Sequence, residues 1–353
     1  MSNLESAPKA KLDVSREQRL DEIRRQAEQQ KSLAVVGGRP SSAPFPQASP
    51  ENGYYQIPLL KEPPWTWEVP VYFFVGGAAG AAAVIGAIAD YTGADHELVR
   101  HARWIAAAGA ILSPALLISD LGRPERFLTM LRVFKPQSPM SVGVWTLVGF
   151  STGAIATAFA AHLRERYGPT LPLRVLENGG QAASLALGLP FSNYTGVLIG
   201  ATSIPVWNRN VDHLPLHFGA SGLGAAVGML ELLGHRKSRA LQALGMGAAF
   251  FEILEGIRIE AGSRQELDPL KHSPSGWLIR TGGALAGPVS ALLRIASHFG
   301  SRDRSQSFRR WAAWSAVAGS LLTRIAWIHA GHVSARDWRL PLNGDSHGTG
   351  FRE

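Results

Sequence analysis

The chain has 353 residues, of which 46% are hydrophobic and only 18% are charged, and its formal net charge is +8. It contains no cysteine, which excludes disulfides, thiolate metal sites and iron–sulfur clusters bound by the chain itself. The basic residues lie in short stretches between long apolar runs, a pattern typical of membrane topology and not of a protein that binds nucleic acid.

The chain begins with a polar region of unlike composition, residues 1–50. Ser15 and Gln18 form a capping-box pattern in front of a thin helical stripe, and the linker GGRPSSAPFPQASPENG follows. This region is interpreted either as a solvated tail or as a short helix that docks on a partner. We expect a polar, partly disordered tail with a short helix over 1–50, a transmembrane domain over 51–335 and a C-terminal tail over 336–353.

Eight apolar runs dominate the chain from residue 70 onwards. Each approaches or exceeds the roughly 20 residues with which a helix spans a bilayer, and a helix satisfies its own backbone polar groups in hydrocarbon. The sequence therefore predicts an all-α integral membrane protein, a bundle of about eight transmembrane helices with a short soluble N-terminal tail. The predicted spans are 70–90, 102–120, 142–162, 181–205, 213–234, 240–259, 276–297 and 311–332.

Several small residues recur at four-residue spacing inside these runs and predict close helix packing. They are Gly76/Gly80, Gly196/Gly200, Gly224/Gly228 and Gly283/Gly287. Pro114, Pro190 and Pro288 also lie inside predicted spans, where each frees a carbonyl and favours a kink.

Charged residues enter the apolar runs, most densely in FFEILEGIRIE. A charge at the bilayer centre costs about 2.5–3.5 kcal/mol, so such groups have to pair or face the bundle interior. Glu252, Glu255 and Arg258 follow one another at spacings of three and share a helix face. One interpretation is a Glu255–Arg258 ion pair that holds the bundle together. The other is a proton-handling cluster in which both carboxylates lie near one arginine.

Following the helices across the membrane assigns these charges to two faces. Side A is the face on which the N-terminus lies, and side B is the opposite face. The groups expected towards side A are Asp120, Glu252, Glu255 and Arg324, and those towards side B are Asp90, Glu231 and Arg294. The loop DLGRPERF, which starts at Asp120, adds a dense group of charges to side A.

Aromatic and acidic residues also gather on side A, in WTWEVPVYFF at the start of the first span. Trp67 and Tyr72 are typical of an interfacial aromatic belt. The same residues, with Glu68, would equally suit a flat apolar ligand that enters from the membrane.

Three segments resemble the NrfD / polysulfide reductase membrane-subunit family: YYQIPLLKEPPWTWEVPVYFFVGGAAG, DLGRPERFLTMLRVFKPQSPMSVGVW and NYTGVLIGATSIPVW. The resemblance covers roughly residues 53–335. It implies a multi-pass subunit of a respiratory oxidoreductase in the bacterial cytoplasmic membrane, with no haem or iron–sulfur cluster of its own. Such a subunit binds menaquinone or ubiquinone as an exchangeable substrate and docks a ferredoxin-type 4Fe-4S subunit, often with a molybdopterin catalytic subunit beyond it. It is not expected to be catalytic alone.

On this interpretation the side-A residues take separate roles. Quinone reduction requires hydrogen-bond donors at the carbonyls and a titratable path to water. The quinone candidates are Trp67, Glu68, Tyr72, Arg123 and Tyr194; the proton-relay candidates are Asp120, Glu252 and Glu255; the partner-docking candidates are Arg126, Arg132 and Lys135. We predict no metal site.

Three other interpretations of the sequence stay open. A transporter would suit mid-membrane charges and broken helices, although no inverted repeat is visible in the sequence. A haem-bearing cytochrome b subunit would need histidine pairs at one depth, for which His213, His217, His329 and His332 lie on side A. A passive membrane anchor would not need charges inside its spans.

The orientation in the membrane follows the bias of Lys and Arg between short loops, whose cytoplasmic members carry the excess. Side-B loops carry twelve, Arg100, Arg103, Arg164, Arg166, Arg174, Arg236, Lys237, Arg239, Arg302, Arg304, Arg309 and Arg310. Side-A loops carry seven, Arg123, Arg126, Arg132, Lys135, Arg209, Arg264 and Lys271. The bias makes side B cytoplasmic, although the N-terminal region up to Lys61, with nine Lys and Arg, has no signal peptide to carry it across.

We therefore predict that both termini are periplasmic. Alkaline phosphatase fused at Glu353 should be active, because this enzyme folds in the periplasm, and a fluorescent protein fused at the same position should stay dark. A fluorescent fusion with inactive phosphatase would reverse the orientation and move the partner subunit to the cytoplasm.

Overall fold

The computed structural model describes residues 60–121, 125–262, 265–271 and 274–337, with their side chains except those of residues 126, 265, 266 and 302. The predicted tail 1–50 with its short helix, Arg123 and almost all of the tail 336–353 lie outside the described residues. Within the described ranges the chain forms helices and no strand, in agreement with the predicted all-α class.

The helices follow one another with short connections. They are α1 (Glu68–Tyr91), α2 (His96–Asp120), the short α3 (Glu125–Met130), α4 (Pro139–Tyr167), α5 (Leu171–Gly200), the single turn α6 (Pro205–Asn208), α7 (Leu214–Leu230), α8 (Arg239–Ala261), α9 (Pro274–Ala284), α10 (Ser290–Phe299) and α11 (Arg302–Arg336). A π turn, Glu231–His235, extends α7, and a second one, Leu285–Val289, joins α9 to α10. A 3₁₀ turn, Gln265–Leu270, precedes α9.

Small polar residues set the start of three long helices. The side chains of Asp95, Ser138 and Ser238 accept hydrogen bonds from backbone N–H groups in the first turns of α2, α4 and α8. These N–H groups have no partner within the helix, so a capping side chain stabilises the helix end. Pro139 follows its cap at a position where its missing N–H costs nothing.

The long helices pack as two groups that share a boundary. α1, α2, α4 and α5 form the first group, and α7, α8, α9–α10 and α11 form the second. α1 and α5 both pack against α7, and α1 also contacts α11. α1 is the most deeply buried of the apolar helices, so it holds the two groups together.

Glycines permit the closest helix contacts, both at Gly80, which the four-residue spacing predicted, and at Gly222, which it did not. A Cβ at Gly80 would collide with the Gly188 carbonyl of α5, and one at Gly222 would lie 2.9 Å from the Gly77 backbone. Backbones that approach so closely gain packing energy in a lipid environment. Gly283 differs from the predicted packing, because a Cβ there would meet nothing within 4 Å.

Six helices in the described part of the chain are long and apolar enough to cross a membrane: α1, α2, α4, α5, α7 with its π turn, and α8. They coincide with the first six predicted spans. The last two predicted spans are helical as well, but the π turn at Pro288 divides α9–α10, and α11 carries Arg324 with several serines and tryptophans that lower its hydropathy. The count of eight spans stays a prediction.

Glu231 and Arg294 form a fully buried ion pair between the π turn after α7 and α10. Both guanidinium Nη atoms lie 2.8 Å from carboxylate oxygens, and neither side chain has exposed surface. A Cβ at Gly245 of α8 would collide with the guanidinium, so this glycine provides the space for Arg294. Arg236 and Arg309 lie close enough to interact electrostatically with Glu231.

The pair predicts an asymmetric response to mutation. Removing one partner of a buried ion pair costs about 3–5 kcal/mol. Glu231→Met leaves Arg294 ionised near two further arginines, whereas Arg294→Met leaves a carboxylate that keeps cations nearby or can take up a proton. We expect Glu231→Met to lower the melting temperature of the detergent-solubilised protein more than Arg294→Met.

The double variant Glu231→Met with Arg294→Met should recover most of the lost stability, as measured by thermal unfolding followed by size-exclusion chromatography. Equal losses for the two single variants, or a double variant no more stable than the worse single one, would contradict this account of the pair.

Candidate functional site

A histidine and a glutamate meet inside the second helix group. His217 of α7 and Glu252 of α8 are each 3% exposed, and Nε2 of the histidine lies 3.2 Å from Oε2 of the carboxylate. Both residues lie in the side-A halves of their helices. A buried carboxylate requires such a partner, because desolvation of an isolated charge is expensive.

Arg324 of α11 completes this group and is itself fully buried. Its Nη2 donates to the Phe218 carbonyl at 2.6 Å, Nη1 lies 3.3 Å from the Ser320 hydroxyl, and the guanidinium stacks 4.8 Å from the Phe218 ring centre. The charge of Arg324 acts on Glu252. We call His217, Glu252 and Arg324 the inner cluster. It places one carboxylate, one guanidinium and one titratable ring inside the bundle.

A second polar group lies nearer the side-A surface. Arg258 Nε donates to Glu255 Oε2 at 2.8 Å, and Arg258 Nη1 donates to Asn210 Oδ1 at 2.9 Å. The half-exposed His213 has its Nδ1 3.7 Å from Glu255 Oε1. We call these four residues the outer cluster. Its ion pair joins Glu255 and Arg258, the local contact that their spacing of three residues along the helix allowed.

The two carboxylates therefore have different partners. The sequence pattern allowed Glu252 and Glu255 to share Arg258, but Glu252 pairs with His217 and lies near Arg324. Both carboxylates are nearly inaccessible to solvent. Of the two clusters, the outer one reaches the side-A surface, through His213.

The two predicted quinone-binding tyrosines lie together in the first helix group. Tyr72 of α1 and Tyr194 of α5 are buried and interact electrostatically with each other. The Tyr194 hydroxyl donates to the Pro139 carbonyl at the start of α4, and a Cβ at Gly143 would collide with the tyrosine ring. We call Tyr72 and Tyr194 the tyrosine pair.

The other predicted quinone-binding residues do not lie together with the tyrosine pair in one site. Glu68 lies buried one helical turn before Tyr72 and accepts a hydrogen bond from the Thr66 hydroxyl. Trp67 is 64% exposed on the surface of the protein, as an interfacial tryptophan would be. Arg123 lies outside the described residues.

A row of aromatic rings lies between the tyrosine pair and the inner cluster. The Tyr72 ring is 5.5 Å from Phe73, Phe73 is 6.1 Å from Phe218, and Phe218 is 6.2 Å from His217. The side-A polar groups, which the sequence placed in one region, thus form two sites with an apolar partition.

The charged loop of side A is exposed where it is described. Arg132 and Lys135 are exposed, and so are the apolar side chains of Leu128, Val133 and Phe134. Asp120, the last residue of α2, is half-buried. Arg126 lies in α3, but its side chain is outside the described residues.

A segment before α1 packs against α6 and α11 on side A, and no motif in the sequence predicted these contacts. Trp65 stacks on Trp207 at 5.2 Å, and Trp207 Nε1 donates to the Trp327 carbonyl at 2.8 Å. Glu62 accepts two hydrogen bonds from Arg336, and its Oε1 lies 2.9 Å from His332 Nδ1. The Arg336 hydrogen bonds lower the pKa of the Glu62 carboxyl below its ordinary value.

A polar network at side B was also missed. Arg103 of α2 contacts Asp90 of α1 and both Glu177 and Gln181 of α5, and Glu177 binds Arg164 of α4 as well. From the sequence, Arg103 and Arg164 were expected in side-B loops. The network ties together the side-B ends of four helices, and its partners come from distant parts of the chain, so no local pattern predicts it.

Large cavities open between the helices in the described part of the chain. One of about 590 Å³ lies between α8 and the α9–α10 segment, one of about 660 Å³ lies between α2 and α4, and one of about 940 Å³ lies among α1, α5, α7 and α8. Among the described residues there is no group of three or more metal-ligating side chains that could hold an ion. Three of the four histidines considered for haem lie near carboxylates, His217 near Glu252, His332 near Glu62 and His213 near Glu255.

Comparisons with known proteins identify the family of the chain. The family described as Polysulphide reductase, NrfD, matches residues 57–253. The C subunit of polysulfide reductase from Wolinella succinogenes is 27% identical over 308 residues, a stretch that covers 76% of this chain and 94% of that protein. The family match includes more than half of the chain and contains α1 to α7, the tyrosine pair and the charged side-A loop. The chain belongs to the NrfD family.

Proposed function

We propose that the chain is a quinone- or quinol-reactive membrane subunit of a respiratory oxidoreductase, which exchanges electrons with an iron–sulfur partner subunit. Its family and its similarity to the C subunit of a polysulfide reductase support a role as one subunit of a membrane oxidoreductase complex. The absence of cysteine means that thiolate-bound clusters must come from a partner.

The observation that carries this proposal is the adjacency of two buried tyrosines on side A. A quinone head group needs hydrogen-bond partners at its carbonyls inside an apolar site. Tyr72 and Tyr194 provide two hydroxyls within the bundle, and Glu68 adds a buried carboxylate one turn from Tyr72. The Tyr194 hydroxyl would have to release the Pro139 carbonyl to donate to a quinone carbonyl. We assign the head group to this pair.

An apolar groove leads towards the tyrosine pair. The 660 Å³ cavity is lined by Phe127 of α3, by Ile111 and Pro114 of α2, and by Leu147 of α4. Leu147 lies one helical turn after Gly143, whose backbone contacts Tyr194. An isoprenoid side chain in this groove would therefore have its head group near the tyrosines.

Protons would reach the site from side A. Reduction of a quinone consumes two electrons and two protons, so electron transfer from the partner has to be matched by proton uptake. Asp120 at the end of α2 is the candidate in the same helix group as the tyrosines. The outer cluster offers the half-exposed His213 followed by Glu255, and protons from it would need a path around the row of aromatic rings. Glu252 and His217 form a deeper acid–base pair.

The exposed side-A loop is our candidate docking surface. Arg132 and Lys135 provide positive charge, and Leu128, Val133 and Phe134 provide apolar area that water covers poorly. An acidic rim around a ferredoxin-type 4Fe-4S subunit would complement it, with a molybdopterin subunit beyond. Arg126, in the same loop region, is the third predicted docking residue.

We also propose that α9–α10 and α11 cross the bilayer, which makes eight spans in the bacterial cytoplasmic membrane with both termini periplasmic. α11, at 35 residues, is about 52 Å long, more than the roughly 30 Å hydrocarbon thickness.

A passive anchor would have no need of the buried inner cluster, and a transporter would have no need of a docking loop beside a quinone groove.

The tyrosine pair predicts that Tyr194→Phe lowers quinone turnover by the assembled complex at least about tenfold, which corresponds to about 1.4 kcal/mol in the transition state. The expected loss arises because the phenylalanine keeps the ring but removes the hydroxyl. Quinone-dependent oxidation or reduction by the purified complex measures it.

Tyr167→Phe is the matched control, because Tyr167 is exposed at the side-B end of α4. It should turn over quinone at the wild-type rate. Wild-type turnover by a stable Tyr194→Phe complex would remove this residue from the proposed head-group site.

The outer cluster predicts a separable effect of Glu255→Gln. If Glu255 relays protons, the variant should assemble normally and turn over quinone more slowly. If Glu255 only neutralises Arg258, the variant should lose thermal stability, because a partly buried arginine loses its counter-charge, and Glu255→Gln with Arg258→Met should recover it.

Glu165→Gln is the control for the relay, since Glu165 also lies near a histidine, His96 at 3.2 Å, but on side B. It should affect neither measurement. Normal turnover by a stable Glu255→Gln complex would eliminate the relay role.

A further inference from the structure

Three arginines surround a single glutamate at the side-B end of the second helix group. Glu231 begins the π turn after α7, and each of its carboxylate oxygens lies 2.8 Å from a guanidinium Nη atom of Arg294. Arg236 and Arg309 also lie close enough to Glu231 to interact electrostatically. We call these four residues the arginine cluster. Three positive charges and one negative charge leave it with a net charge of +2.

The helices that carry the cluster pack against one another. Arg309 lies near the start of α11, and α11 contacts both the π turn and α10. Arg309 interacts electrostatically with Arg294 of α10 as well as with Glu231. Because Arg294 already occupies both oxygens of the glutamate, the charge of Arg309 is attracted by one group and repelled by the other. The glutamate therefore neutralises Arg294 and leaves the other two arginines in excess.

Two arginines of the cluster lack the partner that comparable arginines have. Five arginines are half-buried in the part of the chain that the structure describes. Three of them, Arg100, Arg164 and Arg258, each form an ion pair with a glutamate. The other two, Arg236 and Arg309, form neither an ion pair nor a side-chain hydrogen bond with any described residue. A half-buried guanidinium in this state lacks a counter-charge.

The burial of the two guanidinium groups is one-sided. In both Arg236 and Arg309 the Nε atom is enclosed by protein, whereas the Nη atoms are not among the enclosed atoms. Each side chain therefore presents its Nη edge to the surroundings of the protein. This edge carries the paired N–H donors with which arginine binds carboxylate and phosphate groups.

The cluster lies at the level of the membrane surface. Glu231 and His235 end a helix that is long and apolar enough to cross the bilayer, and Arg236 follows directly. Exposed aromatic side chains accompany the cluster on its own helices, Phe299 on α10 and Trp311 and Trp314 on α11. Exposed tryptophans at the end of a membrane helix are typical of the interface between hydrocarbon and headgroups.

The helix that carries Arg294 also presents an apolar face to the outside. Leu292, Ile295 and Phe299 of α10 are exposed, and their spacing of three and four places them on one helix face. Arg294 lies on the opposite, buried face of the same helix. Acyl chains of a lipid at the cluster would therefore find apolar side chains to cover towards the membrane centre.

The charge of the cluster distinguishes between lipid classes. Basic pockets between membrane helices bind the headgroups of anionic phospholipids. A zwitterionic phospholipid has no net charge and would leave the excess of positive charge in place. A lipid with a net negative headgroup would reduce it, and its phosphate oxygens would accept hydrogen bonds from the Nη atoms.

We propose that Arg236 and Arg309 bind the phosphate headgroup of an anionic phospholipid at the side-B membrane surface. The ion pair between Glu231 and Arg294 stays intact in the bound state, because its atoms are fully buried and already satisfy each other. This inference does not depend on the proposed quinone site, since the two sites share no residue.

Native mass spectrometry of the full-length protein in detergent tests the site through titration with phosphatidylglycerol. Arg236→Gln and Arg309→Gln should each weaken the apparent affinity about fivefold, and the double variant about thirtyfold, because each removes one interaction between a cation and the headgroup. Phosphatidylcholine with the same acyl chains should bind more weakly to the wild type, and the variants should change its binding little.

Arg304→Gln is the matched control on the same helix. Arg304 is exposed, lies five residues before Arg309 and removes the same charge from the same face of the membrane. Its affinity for phosphatidylglycerol should stay within about twofold of the wild type, since an exposed charge at this distance is screened.

Thermal unfolding in lipid-free detergent separates lipid binding from a structural role. Because the cluster carries excess positive charge, the double variant Arg236→Gln with Arg309→Gln should melt no lower than the wild type. Added phosphatidylglycerol should raise the melting temperature of the wild type and not that of the double variant. A double variant that melts well below the wild type, or does not fold, would show that the arginines stabilise the fold as partners of Glu231 and overturn the proposal.

Three further outcomes would overturn it. The first is a double variant that binds phosphatidylglycerol as tightly as the wild type. The second is an Arg304→Gln variant that loses as much affinity as the double variant, which would reduce the effect to general attraction. The third is inorganic phosphate that displaces phosphatidylglycerol and raises the melting temperature equally well, which would assign the arginines to a dissolved anion.

Discussion

An unpaired charge in hydrocarbon costs about 2.5–3.5 kcal/mol, even on the insertion scale that gives the lower values. This cost is the constraint on which the structure depends most. Arg294 avoids this cost because it forms an ion pair with a fully buried glutamate, Glu231. Arg324 avoids it because the guanidinium bonds to backbone carbonyls and a serine and stacks on an aromatic face. Each solution joins residues from different helices, so the charges determine which helices must be neighbours.

The same constraint separates the polar groups of side A. The inner cluster satisfies its charges among α7, α8 and α11, whereas the tyrosine pair lies between α1 and α5. Phe73 and Phe218 fill the boundary between the two helix groups. The tyrosine pair and the inner cluster therefore occupy neighbouring but distinct parts of the bundle.

Glycine has two opposite uses in this fold. At Gly80 the missing side chain lets α1 approach α5 within the first group, and at Gly222 it lets α7 approach α1 across the boundary between the two groups. At Gly256 and Gly283 the missing side chain leaves a cavity beside a buried carboxylate. Spacing along the sequence cannot distinguish these uses, because both occur on apolar helix faces.

The amino-acid sequence determined the elements of this protein. Apolar runs of membrane-spanning length, with capping residues such as Ser138 and Ser238 at their starts, place the long helices, because helix formation in lipid depends on local composition. The motifs in α1, α2 to α4 and α5 indicated the family. Only the tertiary structure decided which charges are partners. Glu255 pairs with Arg258 three residues away, and this pair was predictable. In contrast, Glu252 pairs with His217, 35 residues away, and Arg103 pairs with Glu177, 74 residues away. These partners depend on how helices pack side by side, which local periodicity does not specify.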